Sequence, residues 1–250
     1  MALIVRLVPD RLFSVPRLAQ VYDALDPDRR DLEAYLTLLG EFGVRSVVDV
    51  GCGTGTFAIM LAARGCEVTG IDPAEASLEV ARAKPGADAV TWVLGDASTA
   101  IAGPVDAVTM TGNVAQVFVT DDEWRQLLQS AFHMLRPGGR LIFETRDPAA
   151  QAWRGWNRDG TYRQADVHGI GSVACWEEIT AVDLPLVSFR TTFEFGHDGS
   201  LVTSDSTLRF RDREEIEASL REAGFDDPEV RGAPDRPDLE IVFIARRSQP

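Results

Sequence analysis

Paired cysteines, long apolar runs and lysine are all scarce or missing in this chain of 250 residues. Its three cysteines, Cys52, Cys66 and Cys175, stand apart, with no C-x-x-C pair and no Cys/His cluster. The sequence therefore offers no zinc or iron–sulfur site, and iron–sulfur radical chemistry has nowhere to sit. No stretch of about eighteen apolar residues occurs, which excludes a membrane-spanning helix. The opening octet MALIVRLV is short, carries Arg6 and lacks a small-residue cleavage site. It makes a poor leader peptide, so the expected location is cytoplasmic. Lys84 is the only lysine, and Lys plus Arg number 25 against 39 Asp plus Glu, a net charge of −14. Nucleic acid is not expected as a partner, because phosphate binding needs a basic surface. Neither repeats nor low-complexity tracts are present.

What is there begins with residues 46–55, Ser-Val-Val-Asp-Val-Gly-Cys-Gly-Thr-Gly. Val47, Val48 and Val50 read as a buried parallel strand, and Gly51, Gly53 and Gly55 as a turn that lets backbone approach a ligand closely. A helix follows near Thr56, and a second apolar run ends at Asp72. An acid about twenty residues beyond such a turn is placed to bind ribose hydroxyls in nucleotide folds. The dinucleotide fingerprint, however, wants its third glycine where Thr56 stands, and here it comes one residue early.

With 45% hydrophobic residues the chain can bury one α/β core. Leu32, Tyr35, Leu36, Leu39 and Phe42 form a helical stripe ending at Gly43. Strands then alternate with helices through residue 145, and Thr120-x-x-Glu123 reads as a capping box. Pro137-Gly138-Gly139 is expected to stop the helix that follows the box. Beyond Pro148 the period changes to two, over 173–179, 187–195 and 202–210, with His197-Asp198-Gly199-Ser200 as a hairpin turn. That predicts about three antiparallel strands. A helix capped by Asp212 and two strands close the chain.

The stretch VVDVGCGTGTFAIMLAARG with IDPAEASLEVAR resembles the first two motifs of class I S-adenosylmethionine-dependent methyltransferases of small-molecule type. LRPGG ahead of the fifth strand extends the similarity over roughly 40–148 and 208–247. The resemblance implies a Rossmann-like fold: a mainly parallel sheet with helices on both faces, an antiparallel last strand and a small antiparallel insert. It divides the chain into 1–43, a helical cover of the cofactor site; 44–148, the cofactor-binding core; 149–208, an acceptor-binding lid; and 209–250, which completes the sheet. It implies S-adenosylmethionine as cofactor, leaving as S-adenosylhomocysteine. The cofactor-binding candidates are Tyr22, Asp49, Gly51, Cys52, Gly53, Gly55, Asp72, Pro73, Asp96, Ala97, Thr111, Gly112 and Asn113. Among them Asp49 suits the α-ammonium, Asp72 the ribose and Asp96 the adenine amino group. Cys52 reads first as a small residue tolerated in a tight turn, and second as a thiol beside the cofactor.

Methyl transfer from sulfonium is an in-line displacement that needs alignment and dryness more than a base. His168 is the first candidate base, followed by Glu144 and Asp147 at the end of the fifth strand, with Glu144, Arg146, Trp153 and Trp156 as candidate acceptor contacts. The acceptor is expected to be a small molecule taking methyl on O or N. Monomer and homodimer both remain open, and the alternative to a lid for residues 149–208 is an edge or dimer sheet in which Phe189, Phe193 and Phe195 are buried against another subunit or the far edge. Two other functions also stay open: a cofactor-binding module without catalysis, and a nicotinamide oxidoreductase.

Overall fold

The computed structural model describes residues 8–99, 103–233, 235–236 and 238–248, so the opening octet, apart from Val8, lies outside them. The strands are β1 (Ser46–Val50), β2 (Glu67–Asp72), β3 (Val90–Leu94), β4 (Val105–Met110), β5 (Leu135–Arg146), β6 (Arg163–Val167), β7 (Gly171–Asp183), β8 (Leu186–Phe195), β9 (Ser200–Arg209), β10 (Glu229–Gly232) and β11 (Glu240–Arg246). Three single helical turns come first, α1 (Arg11–Ser14), α2 (Pro16–Ala19) and α3 (Tyr22–Leu25). The remaining helices are α4 (Arg30–Glu41), α5 (Thr56–Ala63), α6 (Glu75–Arg82), α7 (Asp121–Met134), α8 (Arg158–Thr161) and α9 (Arg213–Glu222).

The main sheet has seven strands in the order β10-β11-β5-β4-β1-β2-β3. β1 to β5 pair in parallel, and β11 runs antiparallel to both β5 and β10. Alternate strand residues feed two cores. Val48, Val108, Leu141 and Phe143 pack toward α7 and α9, while Val47, Ala107, Ile142 and Val242 pack toward α4 and α5. This is the Rossmann-like methyltransferase architecture, and it places the carboxyl ends of the parallel strands at one rim, where open sheets bind ligands.

A second sheet of four antiparallel strands, β6-β7-β8-β9, follows β5. The sequence pattern gave about three. β6 was missed because Arg163–Val167 carries only two apolar residues, and none of the five is buried. The helix before LRPGG also ends earlier than expected, at Met134, and β5 runs straight through Pro137-Gly138-Gly139. Pro137 disfavours helical backbone at the residue before it, and fully buried Leu135 already pairs with Val105.

The apolar side of the second sheet is covered from within the chain. Val173, Cys175, Phe193 and Phe195 pack on Leu18, Val21 and Leu25 of the N-terminal turns. Leu12 N–H donates to Ser204 Oγ at 2.9 Å, and Arg17 lies 3.7 Å above the Phe195 ring. Phe193 and Phe195 are thus packed against these turns, and Phe189 against Trp156.

Candidate active site

The turn after β1 is held by backbone sterics and by Asp72. Gly51, Gly53 and Gly55 all have positive φ, where a side chain is strained. A Cβ on Gly51 would also fall 2.7 Å from Val114, and one on Gly55 would strike Trp92 and Ala81. These glycines thus answer to the protein's own packing as much as to a ligand. Asp72 Oδ2 accepts the Gly53 N–H and its Oδ1 accepts the Ala74 N–H, both at 2.8 Å. One carboxylate therefore fixes the glycine turn and the approach to α6. Burial nevertheless pushes its affinity for protons up, against the lowering by those two N–H groups.

Around this turn lies a cleft of about 210 Å³. Tyr22, Gly51, Cys52, Gly53, Asp72, Pro73, Asp96, Ala97, Thr111 and Gly112 line it. Gly55 lies behind it as the left-handed residue that opens α5. Cys52 is buried, and burial pushes its thiol well above the usual range, so it stays protonated and small. Asp96 does not cap a helix; its Oδ1 accepts from Ser98 N–H at 2.8 Å in a local turn.

The cleft is closed at one side by α3. Asp23 Oδ1 accepts from Thr54 Oγ1 at 2.7 Å, and its Oδ2 lies 2.6 Å from Lys84 Nζ, which also donates to Thr56 Oγ1 at 2.9 Å. The chain's one lysine thus ties the N-terminal segment to the glycine turn. Its rarity was the signal, and the sequence reading did not use it.

A second chamber, of about 300 Å³, adjoins the first and shares Tyr22, Arg29 and Gly112 with it. Its lining includes Glu144 and Glu240, which belong to a set of buried polar groups on the same sheet face; Asp49 and Thr109, the other two, line neither cavity. The columns of Val47, Ala107, Ile142 and Val242 continue toward the rim as Asp49, Thr109, Glu144 and Glu240. All four are buried. Asp49 Oδ1 accepts from Thr109 Oγ1 at 2.8 Å, and Oδ2 accepts from no described residue. Burial, with the charges of Asp72 and Glu144, pushes Asp49 up to about 7. Glu144 rises to about 7 as well, chiefly through burial. Asn113, left-handed at φ 61, sits between Glu144 and Glu240: its backbone N–H donates to Glu144 Oε1 at 2.7 Å and its Nδ2 to Glu240 Oε1 at 3.0 Å.

Glu144, Arg146 and Asn113 line this chamber together with Cys175, Glu177, Phe189, Thr191 and Phe193 from the second sheet. Arg146 donates to Gln116 Oε1 at 2.9 Å. Missing from the sequence reading were Asp26, Arg29 and Asp31 from the N-terminal segment, and Asp235, Arg236 and Glu240 ahead of or on β11. Acids at positions of apolar parity in β11 and β5 were the available signal. His168 is not brought to the site: it lies exposed in the turn between β6 and β7 and lines neither cavity. Trp153 and Trp156 are also absent from both linings. Trp153 is buried with its ring 4.6 Å from Phe210, and Trp156 packs 4.9 Å from Phe189 and lies 5.2 Å from the Arg146 guanidinium. They support the chamber wall from behind.

Comparison with known proteins identifies this arrangement. Residues 47–139 match the family described as "Methyltransferase domain". A glycine N-methyltransferase of Oryctolagus cuniculus is 33% identical over 132 residues, 45% of this chain and 44% of that protein. A ubiquinone biosynthesis O-methyltransferase of Pectobacterium carotovorum is 34% identical over 119 residues, 46% and 48% of the two chains. The chain thus spans about half the length of these curated relatives. In solved structures it is similar to a sugar N-methyltransferase from Streptoalloteichus, with TM-score 0.79, 20% identity and 100% and 99% of the two chains covered. An amino pentose methyltransferase from Micromonospora echinaspora, solved with S-adenosylmethionine bound, gives TM-score 0.70, 22% identity and 92% and 97% coverage. The fold and the glycine turn define the class I S-adenosylmethionine-dependent methyltransferases. Residues 47–139, less than half of the chain, thus match a methyltransferase-domain family, and the fold is shared with S-adenosylmethionine-dependent methyltransferases.

Proposed function

We propose that this chain transfers the methyl group of S-adenosylmethionine directly to O or N of a small-molecule acceptor. The observation that carries the reading is the junction: a cleft at the glycine turn opens into a polar chamber at Tyr22, Arg29 and Gly112. When bound, the cofactor supplies an activated methyl on a sulfonium. Asp49 Oδ2, buried and without a donor among the described residues, fits the α-ammonium of its methionyl part. Arg29 Nε–H, likewise buried without an acceptor, fits the neighbouring carboxylate. Asp72 fits the ribose hydroxyls, since each oxygen keeps a lone pair beyond its backbone bond. Asp96 and Ala97 fit the adenine edge.

The second sheet and the N-terminal turns act as the wall that excludes water and orients the acceptor for in-line attack. That solved neighbours include sugar and amino pentose methyltransferases supports a polar small-molecule acceptor. Calorimetry with S-adenosylhomocysteine and NAD, then an acceptor screen for S-adenosylhomocysteine release, tests the reading. Binding of the first ligand with turnover of a polar small molecule is expected. Binding of NAD alone would overturn it.

A further inference from the structure

Three acids on one sheet face have unequal partners, and an inference follows that rests on the reading above. Glu240 is compensated: its Oε1 accepts from Arg236 at 2.8 Å and from Asn113 Nδ2, with Arg146 at 3.9 Å. Glu144 is not. Its Oε1 takes the Asn113 backbone N–H, while its Oε2 is buried with no donor in hydrogen-bond geometry; the Tyr35 hydroxyl faces the carboxylate without closing that bond. The Asn113 side chain is fixed by its donation to Glu240, which leaves Asn113 Oδ1 buried and equally without a donor. Both orphaned atoms are acceptors, and both residues line the chamber beside Gly112, where it meets the cofactor cleft.

A ligand that supplies donors here recovers what two unpaired buried acceptors lose. A hydroxyl brings one donor. A protonated primary amine brings three, with a positive charge that matches the carboxylate. We propose that the acceptor is an amine, held as its ammonium by Glu144 Oε2 and Asn113 Oδ1, and that Glu144 takes the proton that frees it to react.

The ammonium passes one proton to Glu144, leaving a neutral amine and a carboxylic acid. The nitrogen lone pair then forms the new N–C bond to the donated methyl as the S–C bond breaks, and that electron pair leaves on sulfur. The product is the N-methylated ammonium, and the Glu144 proton returns to water when the chamber empties. Facing the Glu144 carboxylate are the Tyr35 hydroxyl from α4, Asp49 from β1, Glu240 from β11 and Arg146 further along β5. Burial and then the charge of Glu240 raise its affinity for protons, and the Asn113 N–H and Tyr35 hydroxyl lower it.

The test uses the full chain saturated with S-adenosylhomocysteine, titrated at about pH 8 with 2-aminoethanol and with ethylene glycol as its hydroxyl match. The amine should bind at least about tenfold more tightly. Glu144→Gln keeps an oxygen for the Asn113 N–H and should abolish that preference, with S-adenosylhomocysteine affinity unchanged and melting at that pH no lower than in the parent chain. In turnover screens of paired amines and alcohols, the amines should be methylated. Their kcat/KM should fall below about pH 7, and Glu144→Gln should remove that limb while lowering kcat. Equal binding of the two probes, no amine binding to the intact complex, or an unaltered pH limb in Glu144→Gln would overturn the proposal. Failure of S-adenosylhomocysteine itself to bind would instead overturn the reading beneath it.

Discussion

Asp49 and Glu144 occupy strand positions whose column neighbours are Val47 and Ile142, so each is an acid placed where the fold buries apolar groups. Burial raises both to about 7, from 3.8 and 4.5 respectively. Between those values the folded chain holds protons that the unfolded chain releases, so stability falls as pH rises toward 7 and then levels. The ligand-free melting temperature should therefore drop between about pH 5 and pH 8. Asp49→Asn should shrink that drop and raise melting at the upper end, yet weaken S-adenosylhomocysteine more than about tenfold, or 1.4 kcal/mol. Melting scans across pH paired with calorimetry check both halves; a variant that gains stability and keeps full affinity would remove Asp49 from the cofactor site. Asp72→Ala should also weaken S-adenosylhomocysteine more than about tenfold. It should destabilise the fold by about 1–3 kcal/mol as well, because two buried N–H groups lose their acceptor. Unchanged calorimetric affinity in a folded variant would contradict that role.

The N-terminal turns are too short to be stable alone, since helix nucleation is costly; tertiary contacts hold them. The Lys84–Asp23 pair is half-buried and linked to both threonines of the glycine turn. Lys84→Ala should speed amide exchange over residues 18–25 and weaken S-adenosylhomocysteine about threefold, about 0.65 kcal/mol, while melting shifts little. Exchange unchanged in that segment would show that the pair does not latch it. The Rossmann-like elements were legible because Val47–Val50 and the α4 stripe carry clear periods, and Thr120 with Glu123 forms the expected reciprocal cap. β6 was not, because Arg163–Val167 is polar and gains its place only by pairing with β7. Nor was the end of α7, where Leu135 is drawn into the sheet.

Across the whole molecule the second sheet, the N-terminal turns and the strand rim line two adjoining cavities. Phe195→Ala should cost about 3–5 kcal/mol by leaving a cavity between β8 and α2. Chemical denaturation measures that, and a loss under about 1 kcal/mol would mean the two parts are not packed as one core. The glycine turn could be read from residues 46–72 because Gly51, Gly53, Gly55 and Asp72 belong to one βαβ unit. The chamber could not, since Arg29, Asn113, Glu144 and Glu240 are scattered over more than two hundred positions and meet only through sheet order. His168 was suggested by residue type alone; it is exposed in a turn and lines neither cavity. The proposed function requires donor and acceptor to meet where the two cavities join. A crystal structure of the S-adenosylhomocysteine complex tests it most directly. The account predicts adenine beside Asp96 and Ala97, ribose on Asp72, and sulfur at Gly112 facing the chamber floored by Asn113 and Glu144. Sulfur turned away from that chamber, or the ligand bound outside the glycine-turn cleft, would contradict it.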